Sequence, residues 1–168
     1  MKSIIIGNII GLIGSILMVY GGSVRKREKA IIIQTIQMSI LSLNNLILGS
    51  ISGFIINIIN IIRNILSYKE KLYKPVITII IIISTLLTIK FNTLGLIGYL
   101  PLINSIIFIL FMNNKSDIGF KILTIIYVIF WLVHDIYIKS YTTAFFDVLT
   151  ILTSFYAIIT LKIKKRQC

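Results

Sequence analysis

The stretch VITIIIIISTLLTI, residues 76–89, decides the fold class of this chain. Its five consecutive isoleucines, Ile79–Ile83, cover every side of a helical turn, whereas a helix on the surface of a soluble protein keeps one polar face. The pattern continues outward, since isoleucine fills 44 of 168 positions and 57% of the residues are hydrophobic. Only 13% are charged, and the mean hydropathy is +1.00. This composition excludes a disordered chain and predicts an all-α polytopic membrane protein.

Seven apolar stretches approach the length of about 17 to 20 residues that a helix needs to cross a bilayer. They cover residues 3–20, 30–44, 48–66, 76–89, 94–112, 120–135 and 141–161. The longest polar connection covers only residues 67–74, so no soluble domain fits between them. We therefore predict seven transmembrane helices in a single membrane domain, residues 1–168.

The loops between these stretches differ strongly in basic residues. One side receives thirteen lysines and arginines, namely Arg25, Lys26, Arg27, Lys29, Lys69, Lys71, Lys74, Lys115, Lys121, Lys162, Lys164, Lys165 and Arg166. The other side receives Lys2, Lys90 and Lys139, and Arg63 falls inside the third stretch. Because basic loops stay in the cytoplasm, we expect the N-terminus outside and the C-terminus inside. The net charge of +12 then faces the anionic lipid of the inner leaflet, and we expect no nucleic-acid partner.

A shift of 90 residues superimposes the second and third stretches on the sixth and seventh. Polar positions are the informative ones, because isoleucine matches isoleucine by chance in this composition. Ser50, Gly53, Asn57, Asn60 and Asn64 correspond to Ser140, Thr143, Asp147, Thr150 and Ser154, with steps of three and four that put each set on one helix face. We predict two parallel three-helix repeats, residues 3–67 and 94–161, joined by a linker helix at residues 76–89.

The chain resembles the YgjV-like bacterial inner membrane proteins over most of its length. The resemblance is carried by residues 43–66, with Leu48-Gly49, Asn57 and Ile62-Arg63-Asn64, and by Trp131-Leu132-Val133-His134-Asp135 ahead of Ser140. It implies an inner membrane location in a bacterium without implying a substrate.

More distantly, the 3+1+3 layout resembles the SWEET and PQ-loop carriers of sugars and small metabolites. In those carriers an asparagine on the third and seventh helices and an aromatic residue on the sixth line a central pocket. The matching positions are Asn57, Asp147 and Trp131. The Pro-Gln pair of that architecture is absent, and a helix-hinge proline occurs only as Pro101.

Asp147 lies within the seventh stretch, where an unpaired carboxylate is costly. It either serves as a solute-binding or proton-coupling acid in a cavity shared with Asn57, or it only holds helices together. Asn57, Asn60 and Asn64 form a stripe of amides on one helix face, and lipid cannot supply the hydrogen-bond partners that they need. They either line a solute pocket or form hydrogen bonds that hold helices together. The candidate pocket contains Asn57, Asn60, Asp147 and Thr150, with Tyr127 and Trp131 above it.

Arg63 and Asn64 are candidates for a cytoplasmic gate that holds an anionic group on the solute. The alternative is that the long Arg63 side chain reaches back to the cytoplasmic interface. Trp131 and Tyr127 suit stacking on a sugar or planar metabolite, although ordinary packing or an aromatic belt gives the same spacing.

Enzyme chemistry finds little support in the sequence, and we expect no enzyme and no cofactor. His134 and Asp135 are adjacent, so a catalytic triad would require a serine from elsewhere in the fold. The single cysteine, Cys168, excludes a disulfide and a thiolate metal cluster. Gly7, Gly11 and Gly14 allow close helix approach, either within the bundle or in a homo-oligomer.

Two hypotheses follow from these patterns. The first is a carrier of small solutes that works by alternating access around a midplane pocket. The second is a membrane protein without transport activity that binds a partner or lipid, with polar stripes that serve only as glue.

Overall fold

The structure, a computed structural model, describes residues 2–112 and 116–167, with side chains described as far as residue 163. Its helices are α1 (Lys2–Ser23), α2 (Arg27–Ile47), α3 (Ile51–Tyr68), α4 (Lys74–Phe91), α5 (Leu100–Phe111), α6 (Asp117–Tyr137) and α7 (Tyr141–Gln167). The prediction of an all-α chain with helices at the seven apolar stretches is therefore confirmed for the described residues. Lys115, one of the basic residues in the charge argument, lies outside them.

Six of these helices are long and apolar enough to cross a membrane, and α5 is the exception. We expected a span over residues 94–112, but the α-helix begins only at Leu100, after a 3-10 turn over Gly95–Tyr99. The Asn92 side chain accepts from the backbone N–H of Leu94 at 3.0 Å and donates to the carbonyl of Gly95 at 2.7 Å. This side-chain-stabilised turn, with Gly95 at φ 58°, delays the start of α5.

Six helices form a ring in which neighbours contact in the order α1, α2, α3, α5, α6, α7 and back to α1. The interface between α1 and α7 is extensive, whereas α3 and α5 meet over a short stretch. Helix α4 lies outside the ring, against α3 and α5, and buries only Ser84 and Thr88. The ring therefore encloses the centre of the bundle without α4.

The connection between α2 and α3 has the same backbone geometry as the connection between α6 and α7. The N–H of Ser50 donates to the carbonyl of Asn45 at 2.8 Å, and that of Ser140 donates to the carbonyl of Asp135 at 2.9 Å. Gly49 and Lys139 each have a positive φ, of 82° and 63°. Both helix pairs therefore turn back through the same kind of left-handed residue.

The glycines of α1 pack within the bundle. A Cβ at Gly7 would lie 2.7 Å from the side chain of Leu48, and one at Gly11 would lie 2.8 Å from Thr143 Oγ1. A Cβ at Gly14 would lie 2.7 Å from Leu41. The small residues thus let α1 approach both α2 and α7, which accounts for their spacing without an oligomer.

Hydrogen bonds between residues at or near the helix ends join the helices at each end of the bundle. At the end we call the basic end, the N–H of Arg27 donates to Asp117 Oδ1 at 3.0 Å, and its guanidinium donates to Ser67 Oγ at 2.9 Å and to the carbonyl of Met112 at 3.1 Å. At the opposite end, Asn8 donates to the carbonyl of Lys139 at 3.1 Å and accepts from the N–H of Thr142 at 2.8 Å. Arg27 thus joins the starts or ends of four helices at the basic end.

Candidate functional site

A small cavity occupies the centre of the ring of helices. Its volume of about 20 Å³ gives room for about one water molecule. Its lining is mixed, with six apolar or aromatic residues (Met18, Met38, Leu41, Tyr127, Val128 and Trp131) beside seven polar ones. The polar residues that line it are Gln37, Asn44, Asn45, Asn57, Asp135, Thr143 and Asp147. A cavity of this size and composition can hold water or an ion, but in this conformation it is too small for a sugar.

Four of the six predicted pocket residues line this cavity, which we call the central cavity. They are Asn57, Tyr127, Trp131 and Asp147. The polar stripes predicted on α3 and α7 are buried throughout, so both stripes face the interior of the bundle. The structure therefore brings α3, α6 and α7 together at the positions that the spacing indicates.

Asn60 lies beside the central cavity instead of lining it. Its Nδ2 donates to the hydroxyl of Tyr127 at 3.2 Å, and its Oδ1 accepts from Ser105 Oγ at 2.6 Å. Asn104 on α5 also donates to the backbone carbonyl of Tyr127 at 2.9 Å. These bonds join α3, α5 and α6, so in this conformation Asn60 holds helices together.

Thr150 also lies outside the central cavity. Its hydroxyl donates to the carbonyl of Phe146 on its own helix at 2.8 Å. It lines a second, smaller cavity of about 10 Å³ next to Gly21 and Gly22 of α1. Met18, Gln37, Tyr127 and Val128 line both cavities, so the two cavities are neighbours.

Arg63 does not reach back to the membrane interface, and the snorkelling alternative is wrong. Its side chain is fully buried, with Nε and Nη2 at 3.2 and 2.9 Å from Asn64 Oδ1 and the guanidinium 4.4 Å from the ring centre of Phe108. The amide and the ring contact the cation in place of water, while Nη1 has no hydrogen-bond partner among the described residues. Asn64 in turn donates to Met38 Sδ at 3.6 Å, so the pair lies inside the bundle and not at a loop.

Asp147 is the most unusual residue of the central cavity. It is 0% exposed, and neither carboxylate oxygen has a hydrogen-bond partner among the described residues. A charged, buried carboxylate without a partner lowers the free energy of unfolding by several kcal/mol, which is a large part of the stability of a typical domain. An ionisable residue buried in this way is typical of a ligand-binding or ion-binding site, because it does not stabilise the packing of the helices.

Two crossed hydrogen bonds flank the cavity, and the sequence reasoning did not identify either of them. Ser50 Oγ lies 2.8 Å from His134 Nε2, and Asn44 Nδ2 donates to Ser140 Oγ at 2.8 Å. His134 Nδ1 lies 3.2 Å from Asp135 Oδ1, so the fold does bring a serine to the His-Asp pair. The 90-residue shift relates Asn44 to His134 and Ser50 to Ser140, and this is the signal that could have revealed the pairing.

The serine, histidine and aspartate are suited to holding helices together. Ser50 and His134 are fully buried, and Ser50 also accepts from the N–H of Gly53 as the N-cap of α3. The related pair, Asn44 and Ser140, makes the same contact with an amide in place of an imidazole. The shared geometry indicates a tie between helices that does not depend on histidine chemistry.

The charge pattern predicts Lys121 in a cytoplasmic loop region, but the structure buries its side chain. Its ammonium group donates to the carbonyls of Gly21 and Gly22 at 2.8 and 2.9 Å, at the C-terminal end of α1. A cation at this position interacts favourably with the helix dipole and supplies donors to carbonyls that lack them. The sequence signal for this role is that Lys121 falls inside the apolar stretch 120–135, in the second turn of α6.

Within residues 2–112 and 116–167, no three His, Cys, Asp or Glu side chains converge in the manner of a zinc or iron site. Any ion held in the central cavity would therefore be bound by amide, hydroxyl and carboxylate oxygens. Such oxygens are the ligands of hard cations.

Comparison with known proteins identifies the family. No curated protein and no solved structure matches the chain. The family model Imp-YgjV, described as a bacterial inner membrane protein, matches residues 5–165. With six candidate spans and a match over almost the whole chain, this protein belongs to the Imp-YgjV family and is an integral protein of the bacterial inner membrane.

Proposed function

We propose that this protein carries a small polar solute, such as a sugar or another metabolite, across the inner membrane by alternating access. The observation that carries the proposal is that the fully buried carboxylate of Asp147, which has no hydrogen-bond partner among the described residues, lines the same cavity as Asn57. Polar groups at this depth are expensive, and binding a polar solute is a reason to keep them. Tyr127 and Trp131 supply aromatic surface to the same cavity.

We further propose that α1–α3 and α5–α7 form two parallel triplets joined by α4, with the basic end in the cytoplasm. The matched turns at Gly49 and Lys139 support this arrangement, as do the crossed pairs Ser50–His134 and Asn44–Ser140. The order of the ring also supports it, because each triplet contacts the other through its first and third helices. The thirteen basic residues predict the orientation.

The closed cavity implies that the bundle opens before a solute enters. Neighbouring helices of the ring meet across the two triplets at α3–α5 and at α1–α7, and the α3–α5 interface is much the less extensive of the two. Opening between α3 and α5 therefore costs less packing than opening between α1 and α7. In that movement Asn60 would lose Ser105 and become available to a solute, and Arg63 and Asn64 would form the gate beside it.

A second candidate function is a non-transporting membrane protein that binds a partner or lipid. The specific observation in its favour is the water-sized cavity, together with the two hydrogen bonds that satisfy Asn60. It predicts that no solute stabilises the protein and that no solute crosses a vesicle membrane containing it.

The proposal is tested on purified protein in detergent by thermal unfolding with named solutes: glucose, xylose, sucrose, uridine, lactate, citrate and glutamate. A ligand that binds only the folded state raises the melting temperature. We expect a stabilising solute to lose its effect in Asn57→Ala and Asp147→Asn and to keep it in the matched control Asp117→Asn. Asp117 lies at the basic end, where an amide oxygen can still accept from Arg27.

The same solute is then followed in counterflow with proteoliposomes. Uptake that depends on Asn57 and Asp147 supports the carrier. Stabilisation that both cavity variants retain, or a panel in which no solute stabilises the protein or crosses, overturns the proposed pocket and favours the second candidate.

A further inference from the structure

Among the described residues, the buried polar atoms of the central cavity that lack a hydrogen-bond partner are acceptor oxygens, except for one donor, Trp131 Nε1. Both oxygens of Asp147 lack a partner among the described residues, and the same holds for Asn44 Oδ1, Asn45 Oδ1 and Gln37 Oε1. All four residues line the cavity. The amide nitrogens of Asn44 and Asn45 are already engaged, with Ser140 and with the carbonyl of Leu41, respectively. The cavity therefore offers oxygens to a positively charged occupant.

The buried basic side chains that the structure describes contact groups other than Asp147. The Arg63 guanidinium binds Asn64 and lies over Phe108, and the Lys121 ammonium binds the carbonyls at the end of α1. His134 faces Ser50 and Asp135, the other carboxylate of the cavity. Among the described residues, no lysine or arginine pairs with Asp147. If Asp147 is ionised, its charge has no counterion among the described residues, and burial of such a charge is costly.

We propose that the central cavity binds one small monovalent cation, with the carboxylate of Asp147 as its charged ligand and amide oxygens completing the site. Asn57 is the amide on the facing helix α3, and Asn44, Asn45 and Gln37 belong to α2. Carboxylate and amide oxygens are the ligands that hard cations prefer. No zinc-type cluster is needed for this chemistry.

The size and charge of the site favour a monovalent ion. A space of about 20 Å³ admits a body no larger than a water molecule, and Na⁺ without its hydration shell is smaller than that. One positive charge neutralises one unpaired carboxylate, while Asp135 is already held by His134. Mg²⁺ usually keeps several waters in a protein site, and the cavity has no room for them.

The cation site does not depend on solute transport, because Asp147 needs compensation whether or not the bundle opens. A protein that binds the ion but moves no solute would still satisfy this inference. Conversely, a carrier without a cation effect would leave the solute pocket intact and overturn only the cation site.

The test is thermal unfolding of the full chain in detergent, titrated with NaCl at constant pH and at constant ionic strength set with N-methyl-D-glucamine chloride. We expect Na⁺ to raise the melting temperature by on the order of 5 °C at saturation. The rise should be lost in Asp147→Asn and kept in Asp117→Asn. An equal rise in Asp147→Asn would show a general salt effect and overturn the site.

A second measurement keeps the inference testable if Asp147→Asn fails to fold. Binding of ²²Na⁺ to wild-type protein should saturate at one ion per chain, be displaced by unlabelled Na⁺ but not by N-methyl-D-glucamine, and weaken at least tenfold in Asn57→Ala. Absence of saturable ²²Na⁺ binding, combined with a melting temperature that responds to pH but not to Na⁺, would identify the proton as the counterion and overturn the proposal.

Discussion

Ser50 on the turn into α3 and His134 near the end of α6 are in hydrogen-bond contact, with 2.8 Å between Oγ and Nε2. The residues related to them by 90 positions, Ser140 and Asn44, make the second contact of this kind at the same distance. The four side chains tie α2 to α7 and α3 to α6 beside the central cavity. The amide of Asn44 and the imidazole of His134 make equivalent contacts, so we expect an amide to replace the imidazole of His134.

His134→Asn should leave the protein folded with little loss of stability, because the shorter amide reproduces the partner seen at Asn44. His134→Leu should lower the free energy of unfolding by about 1–3 kcal/mol, since Ser50 and Asp135 both lose a buried partner. Thermal unfolding, followed by the fluorescence of the nearby Trp131, measures both. A His134→Leu protein as stable as wild type would contradict the structural role of the contact.

Lys121→Met should destabilise the protein by about 1–3 kcal/mol, because two carbonyls at the end of α1 lose their charged donor. The matched control is Lys162→Met, which removes an exposed lysine from α7. Melting temperatures of the two purified variants make the comparison. If both shift equally, the effect is one of net charge and the buried contact contributes nothing.

Gly11→Ala should cost about 1–3 kcal/mol, because the new methyl group would lie 2.8 Å from Thr143 Oγ1 on α7. Removing that oxygen in the double variant Gly11→Ala/Thr143→Ala should recover part of the loss. Ser3→Ala, at an exposed position of the same helix, is the control for adding or removing small groups on α1. Strictly additive effects of the two substitutions would contradict close packing of α1 on α7.

The proposed orientation predicts opposite labelling of two exposed lysine positions in a Cys168→Ser background. A membrane-impermeant maleimide should label Lys139→Cys in intact spheroplasts and should label Lys71→Cys only after the membrane is permeabilised. Labelling is read by a mass shift on a gel. The reverse pattern would show the opposite orientation in the membrane. Labelling of both positions in intact spheroplasts would show that both loops lie on the outer side.

Composition predicted the helices well because an isoleucine-rich segment has few structural alternatives in a membrane. It failed at α5, where a local hydrogen bond from Asn92 to Gly95 replaces the first turns of a helix that hydropathy alone would begin at Leu94. Hydropathy averages over a window and does not register a single side chain that stabilises a turn.

The candidate site was predicted in part for a related reason. Asn57 and Asn60 lie on the same face of α3, so periodicity assigns them the same role. Asn60 differs from Asn57 because Ser105 on α5 and Tyr127 on α6 form hydrogen bonds with it. Asn57 instead lines the cavity, and these contacts from other helices cannot be read from the sequence of α3. The depth of Arg63 was missed similarly, because the ring of Phe108 that shields it lies 45 residues further along the chain.

The outlying position of α4 has a consequence for how the protein is made. Because α4 buries only Ser84 and Thr88, its entry into the bilayer during synthesis depends on its own isoleucines and not on docking to finished neighbours. The contacts that close the ring lie between α1 and α7 and between α3 and α5. A chain severed in the loop before α4 would keep all of those contacts, so two separately translated fragments could assemble into the same bundle.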